Sequence, residues 1–161
     1  MHSNLPTERQ FMQEAIALAV TKMEEGHGGP FGAVIVLHGE IIARGFNRVT
    51  STLDPTAHAE IDAIRKACHF LGRFRLDGCE IYINCEPCPM CLAALYWAGI
   101  AKITYAATRR DAAAIGFADE MIYAEIGKDN GDRTIPMVQL MRHEALSAFS
   151  AWQAYEKKIP Y

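Results

Sequence analysis

At 161 residues the chain is long enough for one domain that buries roughly two-thirds of its unfolded surface. Half of it is hydrophobic, and sixteen basic against nineteen acidic side chains leave a net charge of −3. That balance weighs against a polyanion-binding surface, and no apolar run reaches the ~20 residues of a membrane span.

The start, Met1-His2-Ser3-Asn4-Leu5-Pro6, lacks the charged-then-apolar pattern of a secretory leader. Thr7-Glu8-Arg9-Gln10 predicts a capping box, and Phe11, Ala15, Ile16, Ala19, Val20 and Met23 then follow helical spacing up to Gly26. Ala33 to Leu37 is a compact β-branched run, which His38-Gly39-Glu40 turns back into Ile41 to Arg44 as a hairpin. Asn47 to Pro55 reads as polar loop, and a helix is expected from about Ala57 to Leu71 with Gly72 as its stop.

Ile81 to Asn84 predicts a third strand with Cys85 at its end. Pro87 then stands where a helix begins, Met90 to Trp97 form its apolar body, and Gly99 ends it. Ile103 to Ala106 predicts a fourth strand. Short helical pieces and the polar loop Lys128 to Arg133 follow, then a fifth strand over Val138 to Met141 and a last helix over Ser147 to Lys157. The expected fold is α/β: a three-layer α/β/α sandwich around a five-stranded mixed sheet, in a single domain over residues 1–161.

The chemistry concentrates in His58-Ala59-Glu60 and Pro87-Cys88-Pro89-Met90-Cys91. One imidazole and two thiolates are the three protein ligands of a tetrahedral zinc that keeps its fourth position for water. Cys88 and Cys91 are three apart, so both project from one side of a helix, and a helix start favours thiolate over thiol. His58 and Glu60 are two apart and share a pocket only if His58 sits where the chain is still entering its helix. Glu60 is then the proton carrier that activates water, serves a ring nitrogen and later the leaving amine. His-x-Glu with Pro-Cys-x-x-Cys is the signature of zinc nucleobase deaminases.

Of the five cysteines, Cys68 and Cys79 read as small buried hydrophobes. Cys85 is the one competitor as a ligand, and its place at a strand end makes it structural. Metal-ligand spacing rather than a disulfide framework points to the cytoplasm. His27, His38, His69 and His143 lack partners at ligand spacing, and Arg109-Arg110-Asp111 reads as a solvated helix start.

With its flanks, the motif resembles the cytidine deaminase-like superfamily and, within it, the bacterial guanine deaminases. Gly29-Pro30-Phe31-Gly32-Ala33, Asn47, Asp54 to Glu60, Ala63 to Ala67, Cys85 to Cys91 and Tyr96-Trp97-Ala98 carry the superfamily likeness. Asp111-Ala112-Ala113, Gly116-Phe117, Arg133 to Pro136 and Tyr161 carry the likeness to the guanine enzymes. The resemblance implies a hydrolase that converts guanine to xanthine and ammonia, with zinc as cofactor on His58, Cys88 and Cys91. It implies Glu60 and Asp119 as proton shuttles, with Glu120 a rival to Asp119, and Phe31, Asn47, Ala59 and Tyr161 around the purine. It further implies a homodimer in which a C-terminal segment of about 143–161 is swapped and Tyr161 closes the partner's pocket.

Three other readings share these motifs. A tRNA adenosine deaminase would want a basic face, of which an acidic chain gives no sign. A deaminase of another free base such as cytosine differs in pocket shape. A structural zinc scaffold would have no task for Glu60.

Overall fold

In the computed structural model, residues 7–161 are described; the leader-free reading of Met1 to Pro6 falls outside them. Thr7 caps α1 (Glu8–Glu24) as the sequence predicts: its N–H donates to Gln10 Oε1 at 2.6 Å, and its Oγ1 accepts the Gln10 N–H. β1 (Gly32–Leu37) turns into β2 (Glu40–Phe46) through His38 and Gly39, whose φ values of 51° and 81° suit the twist of a two-residue hairpin. α2 (Val49–Thr52) is a single turn inside the loop expected to be irregular. α3 (Ala59–Leu71) ends on Gly72 in the left-handed region, as the stop signal requires.

β3 (Glu80–Cys85) pairs antiparallel to β1, and β4 (Lys102–Ala107) pairs parallel to β3 after crossing through α4 (Pro89–Ala98). The sheet is mixed, in the order β2-β1-β3-β4. Strand alternation supplies both of its faces. Val34, Val36 and Tyr82 pack with Phe11 and Ala15 of α1 on one side. Ala33, Ile35, Ile81 and Ile83 pack on the other with the small face of α3 (Ala59, Ala63, Ala67) and with Leu95 and Ala98 of α4. Helix, sheet and helix form the three expected layers.

α5 (Arg109–Ala114) and α6 (Glu120–Ile126) follow β4, then a 3₁₀ turn (Asn130–Asp132) and α7 (Arg142–Ala154). The sheet has four strands among the described residues, not five. Val138 to Met141 has the apolar content of a strand but no ladder partner, and Met141 adopts φ 54°, which breaks extension and opens α7 five residues before the predicted start.

Two compact units result, one up to Tyr123 and one from Ala124 to Tyr161. In the second, the Glu125 carboxylate accepts the Thr134 N–H at 2.8 Å and its hydroxyl at 2.9 Å, and pairs with Lys128. α7 has no buried residue, and Phe149, Trp152 and Tyr155 are exposed. No helix among the described residues is long and apolar enough to cross a membrane.

Candidate active site

His58 is the N-cap of α3, with extended backbone (ψ 161°), so its ring turns to the same side as Glu60 in the first turn. The awkward two-residue spacing is resolved by that half-in, half-out position. Cys88 is the N-cap of α4 and Cys91 lies one turn inside it, so both sulfurs share the end where free N–H groups and the helix dipole favour anions. His58 Nδ1 stands 3.6 Å from Cys88 Sγ and 3.6 Å from Cys91 Sγ. Zinc bonds of ~2.0 and ~2.3 Å at the tetrahedral angle place nitrogen and sulfur about 3.5 Å apart, within about 0.1 Å of what is seen. The donor set therefore fits zinc in type and in spacing, with one corner left open.

The two sulfurs are unequal. Hydrogen bonding from Cys91 and from His58 pulls the Cys88 thiol down to about 4, while the neighbouring Cys88 pushes Cys91 up. Cys85 takes no part: its Sγ lies against the Thr108 carbonyl at 3.7 Å, and burial raises its thiol to about 11. Cys79 is fully buried and Cys68 half-buried.

These ligands open onto a cavity of about 340 Å³, a size suited to a single base. Glu60, only 6 % exposed, reaches it, and burial raises its carboxyl above the ordinary range. A carboxyl raised in this way is a stronger proton acceptor than a free one. Asp119 lines the same cavity with a buried Oδ1 that has no protein partner, and burial raises it too. Glu120 is exposed and is not part of the wall.

Asn47 is buried, and its Oδ1 accepts the N–H groups of Gly29 (3.1 Å) and Val49 (3.2 Å). With the oxygen so occupied, the amide presents Nδ2 as its remaining donor. Phe31 lines the cavity and meets Phe117 edge to face, with centroids 4.9 Å apart. Ala59 is fully buried at the first position of α3. Tyr161 lies in the second unit and is 80 % exposed.

Several wall residues carry no local signature in the sequence. Phe117 stood only among the residues of a resemblance. Arg109 does begin α5, but it is more than a solvated helix start: it lines the cavity, and its guanidinium rides over the Tyr123 ring at 4.8 Å. Tyr123 in turn donates its hydroxyl to the Pro87 carbonyl, one residue before Cys88. No local pattern announces such contacts, since they depend on where β4 and α6 arrive.

Known proteins bear out the class. Residues 5–107 match the cytidine and deoxycytidylate deaminase zinc-binding region, and the chain belongs to that zinc-dependent deaminase family. It is 53 % identical to guanine deaminase of Bacillus subtilis (strain 168), over 94 % of this chain and 97 % of that protein. The X-ray structure of guanine deaminase from Bacillus subtilis superposes with a TM-score of 0.95 at 51 % identity, covering 97 % of this chain and 99 % of that one. The tRNA-specific adenosine deaminase of Agrobacterium fabrum is 44 % identical, but over 62 % of this chain and 66 % of that protein.

Proposed function

We propose that this protein hydrolyses guanine to xanthine and ammonia. The observation that carries the reading is the meeting of two raised carboxyls, Glu60 and Asp119, beside a three-ligand zinc corner in one base-sized cavity. The likeness to a guanine deaminase along nearly the whole chain, where a tRNA deaminase matches about two-thirds, supports guanine over a polynucleotide.

A zinc ion on His58, Cys88 and Cys91 supplies the Lewis acidity that makes water a nucleophile at neutral pH. Glu60 accepts the proton of the attacking water and delivers it to the ring nitrogen beside purine carbon 2. Asp119 takes the remaining proton of the added hydroxyl and passes it to the amino group on that carbon, so that the C–N bond breaks, ammonia leaves and the carbon keeps a carbonyl. Two carboxyls divide two proton transfers between them, so neither must reorient across the ring. Asn47 donates Nδ2 to an acceptor on the purine edge, Phe31 stacks on the ring with Phe117 bracing it, and Ala59 offers the first backbone N–H of α3.

The exposed apolar residues of α7 support a homodimer in which residues of about 143–161 cross to the partner and Tyr161 covers its cavity. Five free cysteines suit a reducing compartment, which supports the cytoplasm.

Ammonia release measured with guanine, adenine, cytosine and a tRNA anticodon stem-loop tests the substrate. Turnover of guanine alone is expected. Turnover of the stem-loop with none of guanine would overturn the reading, and zinc-loaded protein inert on all four would favour the scaffold.

A further inference from the structure

We propose that Asn84 is a positioning residue for substrate binding, clamping the backbone on both sides of Phe31 so that the ring is held where the base rests; this builds on the purine-binding role given to Phe31 above. Asn84 is half-buried near the end of β3. Its Nδ2 donates to the Pro30 carbonyl at 2.9 Å, and its Oδ1 accepts the Gly32 N–H at 2.9 Å. Phe31 is the single residue between those anchors.

Its own backbone is held as well. The Phe31 N–H donates to the Gly29 carbonyl at 2.8 Å, and its carbonyl accepts the Asn47 N–H at 3.0 Å. The clamp therefore bears on a residue whose ring faces the cavity, and the Asn47 N–H holds that residue from the other side. Such a clamp is needed here because Gly26-His27-Gly28-Gly29-Pro30 leads into β1, and a chain that rich in glycine holds no conformation by itself. The β1–β3 ladder runs only from Ala33 opposite Ile83 to Val36 opposite Glu80, so the Asn84 side chain, gripping Gly32, extends the pairing by one step beyond the ladder. Pro30 has no N–H, which leaves its carbonyl as its one backbone group to grip.

The task demands a planar group with a donor and an acceptor side by side, which an amide has and a carboxylate lacks. Asn84 also stands one residue before Cys85 and four before Cys88. The platform and the metal loop are thus tied to the end of one strand.

Asn84→Ala and Asn84→Asp test this, each alone and combined with Phe31→Leu, with KM, kcat, zinc content and melting temperature measured. The aspartate keeps an acceptor for the Gly32 N–H but turns an oxygen toward the Pro30 carbonyl. Both single variants should raise KM about tenfold, within the range that base–aromatic stacking spans, and change kcat less than about threefold. Zinc should stay at that of the parent. In the Phe31→Leu protein the same changes should move KM less than about twofold, because the clamp has no ring left to place.

An unchanged KM in folded, zinc-loaded Asn84→Asp would overturn the proposal. So would an undiminished effect in the Phe31→Leu background. If Asn84→Ala fails to fold, the near-isosteric aspartate carries the comparison. The kinetics use whichever base of the four-substrate panel releases ammonia, so a wrong substrate assignment shows in the panel and a wrong clamp shows in KM.

Discussion

The position of the first turn of α3 rests on a glycine outside the cavity. Gly45 in β2 lies against the start of α3, and a Cβ there would stand 2.1 Å from the Ala59 carbonyl oxygen, 2.4 Å from the Ala63 nitrogen and 2.8 Å from the Ala63 Cβ. The first two are backbone atoms, so no rotamer change relieves them. To restore ordinary contact at 3.4 Å from a 2.1 Å approach, strand and helix must part by 1.3 Å. The displaced carbonyl belongs to the residue between His58 and Glu60.

Gly45→Ala should therefore damage the site and the fold together. Overpacking of this kind costs about 1–3 kcal/mol, and backbone contacts place it at the upper end. About 3 kcal/mol corresponds to a fall of roughly 6–12 °C in Tm for a chain of this size. Misplacement of reacting groups by ~1 Å costs ~10²-fold in turnover, and the 3.6 Å nitrogen–sulfur spacing that fits zinc would be lost as well. The control is Leu76→Ala, a fully buried side chain absent from the cavity wall, which should cost about 2–5 kcal/mol while sparing activity. Both proteins are assayed well below their melting temperatures for kcat/KM with guanine and for zinc retention against a chelator. Gly45→Ala with parental activity and zinc affinity would refute the idea that this close approach sets the helix start.

Glu60→Gln should keep fold and zinc but lose about 10²–10⁴ in turnover, because the amide keeps the shape and removes the proton site; ammonia release with metal analysis checks both. Asp119→Asn should lose a comparable factor while Glu120→Gln stays near the parent, and the reverse order would exchange their roles. Deleting Pro160 and Tyr161 should reduce guanine turnover ~10²-fold with zinc and fold retained. Mixing that protein with Glu60→Gln should restore activity if the tail crosses between subunits, and proven subunit exchange without rescue would place the tail on its own chain. Glu125 is held at about 2, chiefly by Lys128 and then by Thr134, against an ordinary 4.5. With its folded value depressed, its link to Thr134 is complete above the ordinary carboxylate range and is lost as pH falls through about 2. Hydrogen exchange at the Thr134 amide should follow that course, and a midpoint at 4.5 would refute it.

The metal site could be read from the sequence because its chemistry is local. Ligand identity, helix-start placement and short spacings need no knowledge of what lies across the molecule, and His58 at the N-cap of α3 meets the expectation drawn from its distance to Glu60. The sheet shows the limit of the same reasoning. Val138-Gln139-Leu140-Met141 is as apolar as a strand, but a strand is defined by its partner, and hydrophobic content carries no information about pairing. The left-handed Met141 is equally silent in sequence, since nothing marks a methionine for positive φ.

The cavity wall falls between these cases. Asn47 and Phe31 are marked in the chain by a resemblance alone, because what fixes them is tertiary: two N–H donors hold an amide oxygen and one aromatic edge meets another. Asn84 and Tyr123 had no such resemblance to mark them. Asn84 grips a backbone carbonyl and an N–H and Tyr123 a carbonyl; such groups run along the whole backbone, so no residue pattern reports which one is gripped. Residues that bind metal or move protons must be particular chemical types, whereas residues that hold them in place need only arrive beside the right stretch of backbone. That difference is why the reacting groups stand out in the chain and their supports emerge only from the fold.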